Sequence, residues 1–343
     1  MASKTAAAIA VIVLVILGGF AYLAFFAGKG HEQAGGAGGS SGVTIRAATL
    51  QGGISTLDII EAKNLLNGTN YTLSVLRLQK TPDIIAALAN NETDLAVIPA
   101  EMAGKLIMEG GDIKIVAVEM LQNQAVLVRG DSNITSPEML EGRLVGAVVA
   151  SGTYKIFKAY MKAVYNITVV EGEEPQEGVI TVVNIPPGNI LDALQQGQVD
   201  AVVIWEPFVS KGLTRGLKVL VSYQDLWAKA NMSGDPVMLV WVARTDFIDK
   251  HPDALKAFLK AHDEAVDIWV NDKDTTKQIL QQLYKLTDEE FNTLYQRTTP
   301  LLVKGPLTQD QVKSIREVWW LAWQGGYLTG NPDSIPDTVF YHG

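Results

Sequence analysis

Cysteine is absent from all 343 residues. That absence removes disulfides, thiolate zinc sites, cysteine nucleophiles and attachment of a lipid through an N-terminal cysteine. Histidine is scarce. His31, His251, His262 and His342 are the only four, none falls at the end of a strand pattern, and no two have metal-ligand spacing. A histidine-based metal site or triad is not expected, so no metal, cofactor or catalytic residue is assigned. Basic runs are missing too, and the net charge is −9. The electrostatic footprint of a nucleic-acid binder is therefore absent.

What is present begins with "AAAIAVIVLVILGGFAYLAFFA", residues 6–27, a run of 22 without a charge behind Lys4. About 20 apolar residues span a bilayer as a helix, whereas the apolar region of a cleaved signal peptide is usually about 7–15 long. The run reads as an uncleaved signal-anchor, with residues 1–5 in the cytoplasm. Small-residue sites such as "AYLA" leave cleavage open, and a pilin-type processed leader is a further option. Residues 28–42, rich in Gly and Ser, have the composition of a flexible linker. Asn-x-Ser/Thr sequons at Asn67, Asn70, Asn91, Asn133, Asn166 and Asn231 point to an exported, N-glycosylated surface. Glycans without cysteines on a membrane-anchored body suit an archaeal cell. The expected location is the cell membrane, single-pass, with the body on the extracellular face.

The body repeats itself. "DIIAALANNETDLAVIPAE" from Asp83 and "NILDALQQGQVDAVVIWEP" from Asn189 share one alignment. It pairs Asp94 with Asp200, Ile84 with Ile190, Leu88 with Leu194 and Val97 with Val203. Internal repeats precede any other reading of a fold. Strand patterns at 43–50, 71–78, 94–99 and 113–120 alternate with helical patterns at 55–66 and 83–91, Ser55 and Asp58 forming a capping pair. Strands at 143–150, 179–185, 200–207 and 218–223 replay that order around helices at 154–164 and 189–196. Alternating strands and helices make βαβ units around a parallel sheet. After each copy comes one more apolar strand, "QAVLVRGD" and "PVMLVWVARTDF", and from Phe247 onward the chain is helical. The expected architecture is α/β: two three-layer α/β/α lobes joined by a two-strand hinge, preceded by the N-terminal transmembrane helix. Lobe I is 43–122 with 236–343, lobe II is 123–235, and the crossings lie near Gln122–Gln124 and Gln224–Pro236.

In open α/β sheets, ligands bind beyond the carboxyl ends of strands, at helix N-termini. Small residues stand there in both copies: Gln51, Gly52, Gly53 and Ser55 in the first, Ser151, Gly152, Thr153 and Tyr154 in the second. They serve a ligand's close approach, or simply make tight turns and caps. The third strands end in Pro99 and Glu101 in one copy, and in Trp205 and Glu206 in the other. Trp205 offers a flat apolar wall and an indole N–H. Glu206 either accepts from an amine or caps the next helix. Asp94 and Asp200, at the opposite end of the strands, read as structural.

Four stretches, "DIIAALANNETDLAVIP", "LEGRLVGAVVASGTYKIFKAYM", "ILDALQQGQVDAVVIWEPF" and "VARTDFIDKHPDALKAFLKAHDEAV", carry a resemblance. Together they resemble the type II extracytoplasmic solute-binding proteins of ABC importers, in the branch that includes nitrate, alkanesulfonate, taurine and thiamine-pyrimidine-precursor binders. The resemblance covers roughly residues 43–300. It implies a periplasmic-binding-protein type II fold that closes on a small solute and hands it to a membrane permease. It also implies a ligand shell from Gln51–Gly53, Ser151–Tyr154 and Trp205–Glu206. The chain departs from the family where an anchor replaces a lipid-bearing cysteine and where the second turn reads "SGTY". Two competing readings are an enzyme on the same scaffold, of the pyrimidine-synthesis or dehydratase kind, and a surface sensor or filament protein.

Overall fold

The computed structural model describes residues 42–343. The apolar run 6–27 and all but the last residue of the 28–42 linker lie outside the described residues. Among the described residues no helix is long and apolar enough to cross a membrane.

The first copy runs β1 (Val43–Leu50), α1 (Leu57–Ala62), β2 (Tyr71–Leu78), α2 (Thr81–Ala89), β3 (Leu95–Pro99), α3 (Ala100–Met108) and β4 (Ile113–Leu121). The second begins with β5 (Ala125–Val128). It continues through β6 (Leu144–Ala147), α4 (Gly152–Tyr165), β7 (Val169–Glu171), β8 (Ile180–Asn184), α5 (Pro187–Gln195), β9 (Ala201–Ile204), α6 (Phe208–Thr214), β10 (Lys218–Ser222) and α7 (Tyr223–Lys229). Strand β11 (Val237–Arg244) and helices α8 (Thr245–Lys250), α9 (Pro252–Asn271), α10 (Lys273–Tyr284), α11 (Asp288–Thr298) and α12 (Gln309–Gln324) complete the chain.

The strands make two sheets, ordered β2-β1-β3-β11-β4 and β10-β5-β9-β6-β8-β7. Reading the second in reverse matches β8, β6, β9, β5 and β10 to β2, β1, β3, β11 and β4, so the internal repeat is a repeat of topology. Neither sheet is wholly parallel, which corrects the expectation. β11 runs antiparallel to β3, with Leu239 opposite Pro99, and β5 runs antiparallel to β9, with Ala125 opposite Ile204. The physical reason is the exchange of the last strand. Each copy ends by sending its extra apolar strand into the other sheet, and a strand arriving from there enters head to tail. The two crossings lie side by side, since Gln122 N donates to the Pro236 carbonyl (2.7 Å) and Gln224 Nε2 to the Gln122 carbonyl (3.0 Å).

Burial follows position. The central strands β5 and β9 are buried along their whole length, as a strand covered on both faces must be, while the edge strand β2 alternates toward solvent in its first half. Asp94 and Asp200 do equivalent work at the strand starts. Asp94 Oδ2 accepts from Arg46 N (3.0 Å), Asp200 Oδ2 from Leu144 N (3.3 Å), and arginine side chains pair with both. The helix expected over 55–66 is shorter, because Asn64 turns left-handed at φ 49° and ends it. Strand β7 has three residues, too few to show a periodicity. The C-terminal helices are not confined to one sheet: α9 packs on α1, whereas α11 packs on α6 and α12 on both α3 and α4.

Candidate functional site

A cavity of about 40 Å³, walled mostly by carbon, lies where the carboxyl ends of the two sheets face each other. Thr49, Leu50, Gly53 and Ile54 line it from β1 and its turn, Thr81 from α2, and Val97 and Pro99 from β3. Asn123 and Gln124 come from one crossing and Met238 and Leu239 from β11. The opposite wall is Ser151, Gly152, Thr153, Trp205 and Glu206. Of the residues the sequence singled out, Gly53, Pro99, Ser151, Gly152, Thr153, Trp205 and Glu206 are brought together. Gln51, Gly52, Ser55, Glu101 and Tyr154 are not. Gln51 and Gly52 face an adjoining groove with Arg77, Phe208 and Lys211.

Ser55 is turned away from the cavity for a clear reason. Its Oγ donates to Glu119 Oε1 (2.6 Å), and the same oxygen accepts from Thr56 N and Thr56 Oγ1 (2.9 Å each). Asp58, equally buried, accepts from Ser55 N (3.3 Å), Tyr284 Oη (2.5 Å) and Arg77 (2.9 Å). Two internal carboxyls thus fill the N-terminus of α1, which is where orphan N–H groups and the positive end of the helix dipole would otherwise attract an anion. Burial pushes the Glu119 carboxyl up to about 7, and its hydrogen bonds to Ser55 and Thr56 hold it back.

The N-terminus of α4 is different. Ser151 Oγ accepts from Tyr154 N (3.2 Å) and donates to the Val148 carbonyl (2.7 Å), an N-cap made by a neutral hydroxyl. No carboxylate hydrogen-bonds to this turn among the described residues. Gly152 and Thr153, its first two helical residues, line the cavity, and Tyr223 Oη fixes the turn from behind by donating to the Thr153 carbonyl (2.7 Å). Gly152 has to be glycine: a Cβ there would lie 2.0 Å from Glu101 Oε1 and 2.7 Å from Pro99 Cβ. Glu101 therefore packs behind the turn, 2% exposed, with Oε1 lacking a partner. Burial pushes its carboxyl up to about 8. The Tyr154 hydroxyl is likewise buried without a partner.

Trp205 forms part of the wall as expected, edge-on to Phe208 (6.1 Å between centroids), with Nε1 reaching toward the Gly52 carbonyl (3.4 Å). Glu206 resolves in favour of a structural partner. Its Oε1 accepts from Arg297 Nε (2.6 Å), Oε2 from Ser210 N (3.0 Å), and its own N–H donates to Asn123 Oδ1 (3.3 Å). Burial raises the Glu206 carboxyl above its ordinary range, and Arg297 pulls it back.

Sequence reasoning missed Asn123 and Gln124 as site residues, although it marked the crossing they belong to. The signal was there: three carboxamides, "QNQ", interrupt two apolar strands, and all three are buried (Gln122 2%, Asn123 4%, Gln124 4%). Buried carboxamides need partners. Gln122 Oε1 has Tyr160 Oη (2.6 Å), whereas Gln124 Oε1 has none among the described residues.

The chain is similar to the taurine-binding periplasmic protein of Escherichia coli (strain K12), 26% identical over 224 residues that span 65% of this chain and 64% of that one. It is also similar to a putative aliphatic sulfonates-binding protein of Bacillus subtilis (strain 168), 29% identical over 123 residues, 32% of this chain and 34% of that one. It thus spans less than two thirds of the length of either relative. Two solved structures share the fold. The alkanesulfonate-binding protein SsuA from Xanthomonas axonopodis pv. citri, bound to MOPS, gives a TM-score of 0.72 at 15% identity, covering 89% of this chain and 100% of that one. The periplasmic aliphatic sulphonate-binding protein SsuA from Escherichia coli gives 0.68 at 19%, covering 84% and 89%. These likenesses show an α/β fold of the periplasmic-binding-protein kind, built on two sheets. Residues 59–284 match the NMT1-like family, so two thirds of the sequence carries its pattern and the chain belongs to that family.

Proposed function

We propose that this chain is an extracytoplasmic solute-binding protein of an ABC importer. It captures a small organic or anionic solute, of sulfonate, nitrate or pyrimidine type, between two lobes and delivers it to a permease. The observation that carries the reading is the cavity between the facing carboxyl ends of two like sheets, with the unfilled N-terminus of α4 in its wall. Lobe I is taken as 43–122 with 236–343 and lobe II as 123–235. The adjacent crossings at Gln122 and Pro236 act as the hinge between them. The cavity is walled from both lobes, so admission is taken to need the lobes to part and capture to need them to close. The relatives named above are described as a taurine-binding periplasmic protein and a putative aliphatic sulfonates-binding protein, which supports binding over turnover.

The apolar run 6–27 supports anchorage in the cell membrane with the body outside. All six sequon asparagines within the body, Asn67, Asn70, Asn91, Asn133, Asn166 and Asn231, are solvent-exposed, which supports a glycosylated surface. The test is thermal denaturation of the purified protein across a broad panel of small solutes, with mass spectrometry of whatever co-purifies. A true ligand at 100 times its Kd adds about 2.7 kcal/mol of stability. A panel in which no solute raises the midpoint overturns the reading.

A further inference from the structure

We propose that Glu101 is a proton-operated catch between the two lobes: neutral, it lets them close over the cleft, and on losing its proton it parts them. The inference rests on the two-lobe reading and adds a control to it, a coupling of closure to proton uptake.

The position of the carboxyl makes the catch. Glu101 is the second residue of α3, on lobe I, and it packs against the first residue of α4, on lobe II. The approach is so close that a Cβ on Gly152 would stand 2.0 Å from Glu101 Oε1. Glu101 is 2% exposed, and Oε1 has no partner among the described residues. The titratable groups around it are Tyr160 of α4, Tyr223 of α7 and Tyr327 beyond α12. Tyr160 Oη donates to Gln122 Oε1 (2.6 Å) and Tyr223 Oη to the Thr153 carbonyl (2.7 Å), so both hydroxyl protons are engaged elsewhere. Lys105, one turn further along α3, is paired with Glu109. Only the backbone N–H of Glu101 itself offsets the burial that pushes this carboxyl up to about 8.

Glu119 is the contrast. It is buried as well, but its partners Ser55 and Thr56 sit with it on lobe I, so parting the lobes leaves its surroundings unchanged. Glu101 instead loses its lobe II cover. Water then reaches the carboxyl, which returns toward its ordinary value of 4.5. Between that value and about 8 the closed form holds a proton that the open form has released, so closing takes one up. Closure is therefore favoured at low pH and weakens as pH rises through this window, by up to about tenfold per pH unit.

Spin-label distance measurement on the solute-free protein tests this. Lys80 and Gly188 are exposed and line one groove from opposite lobes, and a side chain at Gly188 would meet nothing. The chain has no cysteine of its own, so Lys80→Cys with Gly188→Cys takes label at those two sites alone. From pH 6 to pH 9 the ratio of short to long separations should fall at least about tenfold. Adding Glu101→Gln, checked first for a cooperative melt, should hold the ratio constant. Should that variant not melt cooperatively, Glu101→Leu asks the same question with another group that cannot ionise. Adding Glu119→Gln instead should leave the pH response intact. A ratio that ignores pH in the labelled parent, a response that survives Glu101→Gln, or one abolished by Glu119→Gln overturns the proposal. No solute is present in the measurement, so the solute-binding reading stands or falls separately, on its own panel.

Discussion

The turn after β1 and the turn after β6 occupy matching strand ends in matching sheets, and both are built from small residues. They have nevertheless become different objects. In the first, Glu119 and Asp58 reach in from the protein and take up the donors at the start of α1. In the second, a serine hydroxyl caps one N–H of α4 and the first two remain turned to the cavity. A duplicated frame thus yields one helix end used for internal cohesion and another available to a ligand. The difference also decides how buried carboxyls are used: Glu119 and Asp58 are hydrogen-bonded into the first turn, whereas Glu101 behind the second is buried with Oε1 lacking a partner among the described residues.

Substitution at the second turn should have the largest effect. Gly152→Val places branched carbon on Glu101 Oε1 and Pro99. It should lower solute affinity about 100-fold or more, since overpacking of this kind typically costs about 1–3 kcal/mol even before closure is prevented. Calorimetry of the ligand found in the panel reads the loss.

Glu119→Ala should do the opposite kind of damage, leaving Ser55 Oγ and Thr56 N buried without an acceptor, while Thr56 Oγ1 keeps His262 Nδ1. A loss of about 3 kcal/mol in denaturant unfolding is expected, with affinity changed less than about 3-fold if the first turn is purely structural. A large affinity loss would break the comparison.

The pH dependence comes next. Glu101 is pushed up to about 8 by burial, from an ordinary carboxyl value of 4.5. Between those values the folded protein holds a proton that the unfolded chain has released. Stability therefore falls as pH rises through this window, by up to about 1.4 kcal/mol per pH unit for one group. Glu119, pushed up to about 7, adds a slope of the same sign. Glu101→Gln should flatten the decline measured by unfolding at pH 5 and pH 8. A carboxylate appearing behind the α4 turn should also weaken an anionic ligand above pH 8, and the variant should lack that weakening.

Ser151→Ala removes the cap of α4 and the hydroxyl's bond to the Val148 carbonyl. About 1 kcal/mol of stability should go with it, visible as a small drop in melting midpoint. Smallest of all, Gly53→Ala meets nothing closer than Leu50 at 3.5 Å, and Gly53 does not require a left-handed backbone. Its effect on unfolding should stay within about 0.5 kcal/mol, in contrast with Gly152.

Much of the frame was legible in advance. The strand at 71–78 and the helical pattern at 189–196, which the structure starts two residues earlier at Pro187, are written in local periodicity, which acts over a few residues. Trp205 and the Ser151–Thr153 turn were legible as cleft residues because strand ends in α/β sheets point their successors at the ligand side. Gln124 was overlooked because a carboxamide reveals its need for a partner only when burial is known. The antiparallel β5 and β11 escaped for a related reason, since a short apolar run carries no mark of direction.

The chain alone determined that one strand–helix pattern was written twice, where its turns fall, and that small residues occupy them. Tertiary structure decided which of the two helix ends stayed open and whether Glu206 would face a ligand or Arg297. Those outcomes depend on partners far away in sequence, Glu119 at 64 residues from Ser55 and Arg297 at 91 from Glu206. Local physics sets where a donor lies, but only folding brings the charge that fills it.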